Sequence, residues 1–176
     1  KPSVITGCWF ANLDSIIGDV HAVVIIAGGF FHALGLGLRI KASKPVIVLD
    51  PYSNEVRDVT KEVVKVLKIR LWKINQALNA RSWLIIAGSA GQYRPPILSE
   101  LLASFRRNNF KFHVVRCMYL TYDALRNIDG DDIEAIVITS CPRLAVEDFT
   151  NYDKPVLAPG EVFYMLGLRG DYTYPW

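Results

Sequence analysis

Cysteine is scarce in this chain: three occur among 176 residues, at Cys8, Cys117 and Cys141. So odd and sparse a set excludes a disulfide framework and points to a reducing compartment, with a cytoplasmic setting expected. No two of them form a C-x-x-C pair, which excludes a compact zinc site. Long hydrophobic runs are missing too. The longest, such as residues 22–27, fall far short of the roughly 20 apolar residues that a membrane-spanning helix needs. No charged segment leading into an apolar stretch marks a signal peptide. Dense lysine and arginine blocks are absent and the net charge is only +3, so direct nucleic-acid binding is not expected. There is no G-x-x-x-x-G-K-[ST] phosphate loop and no G-x-G-x-x-G fingerprint. The acidic residues form no pair suited to acid–base work, and no Ser/His/Asp order stands out. The chain opens on Lys1 rather than methionine and at once enters a strand-like run, which suggests a piece of a longer protein.

What is present is an alternation of strands and helices. Residues 4–6, 22–27, 45–49, 83–87, 112–118, 136–139 and 155–157 read as strands, several of them continuous β-branched runs of the kind buried in parallel sheets. Between them, helices are expected over 30–40, 62–78, 95–108, 122–126 and 161–166. In the longest helix Val63, Val64, Leu67, Leu71, Ile74 and Leu78 share a face, while Lys61, Lys65, Lys68 and Lys73 fall elsewhere. The alternation predicts an α/β fold with mostly parallel sheets, as two Rossmann-like units. The boundaries are 1–60 for a first, partial unit, 61–80 for a connecting helix and 81–176 for the second unit. "HAVVIIAGGFFHALGLGLRIKASKPVIVLDP" aligns with "EAIVITSCPRLAVEDFTNYDKPVLAPG", anchored on Lys44-Pro45-Val46 and Lys154-Pro155-Val156. The alignment reads either as an internal duplication or as two βαβ units alike by chance.

Ligands of open α/β sheets gather at the carboxyl ends of the strands. Cys8 follows "SVIT" by one glycine, and Cys141 follows "IVIT" by one serine, so both thiols are placed at such ends. Cys141 also precedes a helical pattern whose free N–H groups, with Arg143, would favour the thiolate, the form that binds metal. Pro142 fits the first helical position. Cys117, inside "HVVRCMYL", is expected within a strand as a small buried hydrophobe that resists alkylation. Two further corners are candidates. "GGFFHALGLG" places His32 beside a strand end, as a ligand-facing residue or as ordinary helix-start packing. "GSAGQYRPP" offers Gln92 and Arg94, which could reach a carboxylate, or is a plain connecting loop.

Six segments in order, "TGCWFAN", "AGGFFHALGLGL", "KPVIVLDPYS", "GQYR", "TSCPRLAVEDF" and "KPVLAPGE", resemble the archaeal diphthamide synthases, the 2-(3-amino-3-carboxypropyl)histidine synthase family. The resemblance covers nearly the whole chain. It implies the middle and last of three related domains around a cleft, usually in a homodimer. It also implies a 4Fe-4S cluster held by one cysteine from each domain, with S-adenosylmethionine on its open iron. Reductive cleavage then gives a 3-amino-3-carboxypropyl radical that adds to a histidine of elongation factor 2. By match of motif, Cys8 and Cys141 are cluster ligands and Cys117 is none. Gln92, Arg94 and Arg143 are placed to engage the amino-acid end of S-adenosylmethionine. The first domain and its cysteine are absent, so a third thiolate must come from a missing N-terminal domain or a partner chain. Phe30, Ala33 and Gly160 depart from the family pattern. The competing expectation is a metal-free binding or interaction module of the same fold.

Overall fold

Valine and isoleucine runs broken by glycine, proline and asparagine set the strands, and the computed structural model, which describes residues 4–5, 8–13 and 15–176, places them in two sheets. The chain divides into two compact units, residues 1–69 and 70–176.

In the first unit β1 (Val23–Ile26) lies parallel to β2 (Val46–Asp50), and helix α1 (Phe31–Arg39) makes the crossover. α1 forms despite its glycines because they are buried against neighbours. A Cβ on Gly37 would stand 2.5 Å from Val63 Cγ2, so the glycine permits a close helix–helix approach. A strand absent from the sequence expectation follows: β3 (Glu55–Asp58) turns back on β2 in antiparallel register, through a hairpin with Asn54 at φ 56°. All four β3 residues are exposed, so no apolar pattern announced the strand. β1 also differs from its expected burial on both faces, since Val24 is 57% and Ile26 70% exposed. The strand expected over residues 4–6 extends outside the described residues.

Helix α2 (Thr60–Ala77) corrects the stripe anticipated for it. The buried positions are Val63, Arg70, Lys73, Ile74 and Ala77, whereas Val64, Leu71 and Leu78 are exposed. Lys73 is thus inside, its Nζ donating to the Tyr152 carbonyl at 3.0 Å. Burial, the larger cause, and Arg70 lower the Lys73 pKa.

The second unit holds β4 (Ser82–Ala87), α3 (Pro95–Arg107), β5 (Lys111–Arg116), α4 (Tyr122–Ile128), β6 (Ala135–Ile138), β7 (Val156–Leu157) and α5 (Pro159–Met165). Its sheet runs β5-β4-β6-β7, with every neighbouring pair parallel. β4, β6 and β7 are buried throughout, which explains their unbroken apolar sequences. One face packs Leu84, Ile86, Ile136 and Ile138 against Leu125 and Phe149. The aromatics Trp83 and Phe105 also meet, with centroids 5.1 Å apart. Each such buried side chain contributes about 1.5–3 kcal/mol. Among the described residues no helix is long and apolar enough to cross a membrane.

Arg70 anchors this unit from within. Fully buried, it donates Nε to Glu161 Oε1 (2.9 Å) and Nη2 to Oε2 (2.6 Å), and its remaining N–H groups reach the carbonyls of Ala145 (2.8 Å) and Val156 (2.7 Å). Glu161 also accepts from the Ala158 N–H and the Tyr172 hydroxyl. One side chain therefore ties α2 to β7, to α5 and to the turn after Cys141.

Candidate functional site

The candidate residues sit where strands stop. Cys141 leaves β6 after Thr139, whose N–H still donates to the Ile86 carbonyl at 2.9 Å, and after the buried Ser140. Its thiol is half-buried and free of any disulfide, as are those of Cys8 and Cys117. The helix expected next is short: Pro142 and Arg143 are helical and lead into a π-type turn, Leu144–Asp148, in which the Phe149 N–H reaches back to the Leu144 carbonyl at 2.8 Å. The helical start anticipated beside Cys141 is therefore present, backed by fewer aligned peptides than a longer helix would supply. Arg143 is exposed and donates Nε to Glu147 Oε2 at 2.6 Å, so its charge is already balanced in part.

The loop after β4 lies against this corner. A Cβ on Gly88 would meet the Ser140 Cβ at 2.7 Å and the Gln92 carbonyl at 2.6 Å, so glycine alone lets the two loops touch. Gln92 itself is exposed at the end of the turn Ala90–Gln92. Arg94 is half-buried, its guanidinium 4.2 Å from the centre of the Trp176 ring. Arg116, from the end of β5, stacks at 4.4 Å on Tyr93.

Cys117 does not sit where the sequence suggested. β5 stops at Arg116, and the Cys117 thiol is half-buried beyond the strand, donating to the Tyr119 carbonyl at 3.0 Å. The apolar run read as more strand is an exposed bend, with Met118 73% and Tyr119 80% accessible. The expected burial within a strand is thus corrected: the thiol packs only in part against the core, and labelling becomes the expected result. Iodoacetamide labels Cys117 in the folded protein, and Cys117→Ser removes that adduct from the peptide map; a native protein unlabelled at Cys117 but labelled on unfolding would contradict the exposed bend.

Cys8 belongs to the first unit, half-buried in a turn just ahead of the short helical turn Ala11–Leu13. The strand end expected to deliver it lies outside the described residues. In the same unit Gly29 adopts φ 80°, and its N–H donates to Asp50 Oδ2 at 3.0 Å. That bond, followed by one from the Tyr52 N–H, holds the Asp50 carboxyl below its ordinary pKa. His32 follows in the first turn of α1, with a buried Nδ1 that finds no hydrogen-bond partner. It edges a cleft of about 540 Å³ otherwise lined by apolar residues such as Ile5, Leu13, Ile16 and Ile25.

Among the described residues no group of three or more His, Cys, Asp or Glu side chains could hold a metal ion. Two soft, undisulfided thiols at accessible corners suit iron–sulfur ligation in kind, though not in number. The sequence also gave no notice of Tyr172, Tyr174 or the Arg70–Glu161 pair. Arg70 did leave a trace, as a charged residue seven positions beyond Val63 and four before Ile74, on the face that proves buried.

Comparison with known proteins meets these corners from outside. The family described as "Putative diphthamide synthesis protein" matches residues 1–176. The 2-(3-amino-3-carboxypropyl)histidine synthase of Pyrococcus horikoshii is 27% identical over 174 residues, which span 98% of this chain and 48% of that protein. The human 2-(3-amino-3-carboxypropyl)histidine synthase subunit 1 is 29% identical over 162 residues, 92% of this chain and 36% of its own length. The chain thus spans half or less of these relatives. The crystal structure of Dph2 from Pyrococcus horikoshii with a 4Fe-4S cluster superposes with a TM-score of 0.77 at 26% identity, covering 97% of this chain and 48% of that one. With a match over its full length and a shared fold, this chain belongs to the diphthamide synthesis protein family.

Proposed function

We propose that this chain is the C-terminal part of a 2-(3-amino-3-carboxypropyl)histidine synthase. Such an enzyme transfers the 3-amino-3-carboxypropyl group of S-adenosylmethionine to a histidine of elongation factor 2, the first step of diphthamide formation. The observation that carries the proposal is the half-buried, undisulfided Cys141 at the carboxyl end of β6, in a chain of this family. The solved relative with a 4Fe-4S cluster supports the choice of cofactor. In this proposal Cys8 and Cys141 each give one thiolate to such a cluster, and a third comes from a further domain or a partner chain. When bound, the cluster supplies the electron that cleaves S-adenosylmethionine. Residues 1–60 form the end of a middle domain, 61–80 a connecting helix, and 81–176 a last domain related to it by duplication, both Rossmann-like. A cytoplasmic homodimer is the proposed assembly.

The chain's own residues then bind and orient. Gln92 and Arg94, on the loop beside Ser140, offer an amide and a guanidinium to the carboxylate of the amino-acid moiety. Stacking on Trp176 limits the rotamers of Arg94 and so reduces the entropy lost on binding. Arg143, shared with Glu147, adds a weaker positive charge at the same edge.

The test uses the full natural protein with any partner it requires, reconstituted anaerobically with iron and sulfide. Stoichiometric iron and sulfide, a broad charge-transfer absorption and reductant-dependent modification of elongation factor 2 are expected. A protein that takes up no iron and leaves S-adenosylmethionine intact would instead be a metal-free interaction module.

A further inference from the structure

The bend after β5 turns some side chains inward and others out. Cys117 and Leu120 pack against the buried cluster that holds Leu125 and Ile138. Between them Met118 and Tyr119 stand almost wholly in solvent. A bend that only closed a connection would carry polar residues at those two positions. Large exposed side chains continue on either side. Tyr122 follows three residues after Tyr119 and is exposed, and so is Tyr93, which carries the Arg116 guanidinium over its ring at 4.4 Å. Tyrosine, methionine and arginine are the residue types enriched at protein–protein interfaces.

The bend is held in one geometry. The Cys117 N–H donates to the Ala87 carbonyl at 3.0 Å, its thiol donates to the Tyr119 carbonyl, and the Thr121 hydroxyl accepts from the Ala124 N–H at 3.1 Å. A preorganised patch loses little entropy on binding. Its place follows from the sheet. In the order β5-β4-β6 the bend leaves the carboxyl end of β5, the Gln92–Arg94 loop follows β4, and Cys141 follows β6. The strand ends bearing the bend and the Cys141 corner are thus two strand spacings apart, roughly 10 Å. Tyr93 lies on the intervening loop. Side chains so exposed enclose no small ligand, which needs a cleft. A second copy seated here would stand across the corner that an acceptor has to reach.

We propose that Tyr93, Arg116, Met118, Tyr119 and Tyr122 form the docking surface for the protein that receives the 3-amino-3-carboxypropyl group. The inference rests on the function proposed above and deepens it, since a macromolecular acceptor must lay chain beside the corner while its histidine enters.

The experiment uses the full natural protein with its cluster reconstituted. It measures steady-state modification of elongation factor 2, and separately the reductant-driven cleavage of S-adenosylmethionine without elongation factor 2. Met118→Ser combined with Tyr119→Ser keeps iron content and that cleavage at the wild-type level. It raises KM for elongation factor 2 by at least about tenfold, with kcat changed by less than about twofold. Met118→Leu combined with Tyr119→Phe keeps the wild-type KM, because shape and apolar area are retained. A serine pair with unmoved KM overturns this inference and leaves the proposed function standing. If its melting temperature also falls, another domain covers the bend. Equal losses of cofactor cleavage and of modification overturn it too, since the bend would then serve the cofactor. A wild type that takes up no cluster overturns the proposed function first, and this inference with it.

Discussion

Under the function proposed above, alanine at Cys141 is expected to abolish cluster assembly in the full natural protein, and with it the cleavage of S-adenosylmethionine. A cluster of this kind rests on thiolate ligands, and three is the family number inferred from the resemblance. Removing one leaves an iron without its protein anchor. Outer-shell changes at metal sites already cost about 10–100-fold in affinity, so loss of a ligand should cost at least about 100-fold. Cys8→Ala is expected to behave in the same way, and Cys117→Ala to leave iron content and cleavage nearly intact, since its thiol donates to the Tyr119 carbonyl beyond β5. Cys141 is only half-buried and small, so its alanine variant still folds, and circular dichroism separates lost cluster from lost structure. Iron and sulfide per chain are the deciding measurements. Full cluster content and full turnover in Cys141→Ala would remove that corner from the site.

The second large effect concerns folding. Arg70→Met lowers the stability of the second unit by about 3–5 kcal/mol, the cost of leaving one member of a buried ion pair uncompensated. Glu161 would keep a charge in an interior where it has no exposure, and the carbonyls of Ala145 and Val156 would lose their donors. Removing both charges, as in Arg70→Met with Glu161→Leu, does not restore wild-type stability. The Ala158 N–H and Tyr172 hydroxyl would then be orphaned in turn. The two substitutions should instead be strongly non-additive, the double variant lying near Arg70→Met. Urea titrations of the four proteins measure this. A loss below about 1 kcal/mol for Arg70→Met would mean that water reaches the pair.

The positions where strands end were legible because parallel, doubly covered strands need continuous apolar runs, and "IIAG" and "IVITS" carry both the run and its stop. The same signal misled at Cys117. There Met118 and Tyr119 continue the apolar run but face solvent, and composition does not tell a covered side chain from an uncovered one. In α2 the sequence offers two overlapping apolar faces. Which one is buried depends on Glu161, 91 residues further along, and no local pattern carries that information. β3 gave no sign because exposed strands need no apolar alternation. The helix inferred after Cys141 had the right start, but it closes as a wide turn around the Ala145 carbonyl that Arg70 holds.

The open face of β1 has a consequence for handling the protein. Among the described residues β1 pairs only with β2, and Val24 and Ile26 stand in solvent. An edge strand with apolar side chains in solvent is a template for adhesion between copies. Colloidal behaviour of this chain in isolation should therefore be set by four residues of strand rather than by its net charge. Turbidity should rise steeply with concentration, and a single lysine at Ile26 should suppress it without touching either cysteine corner.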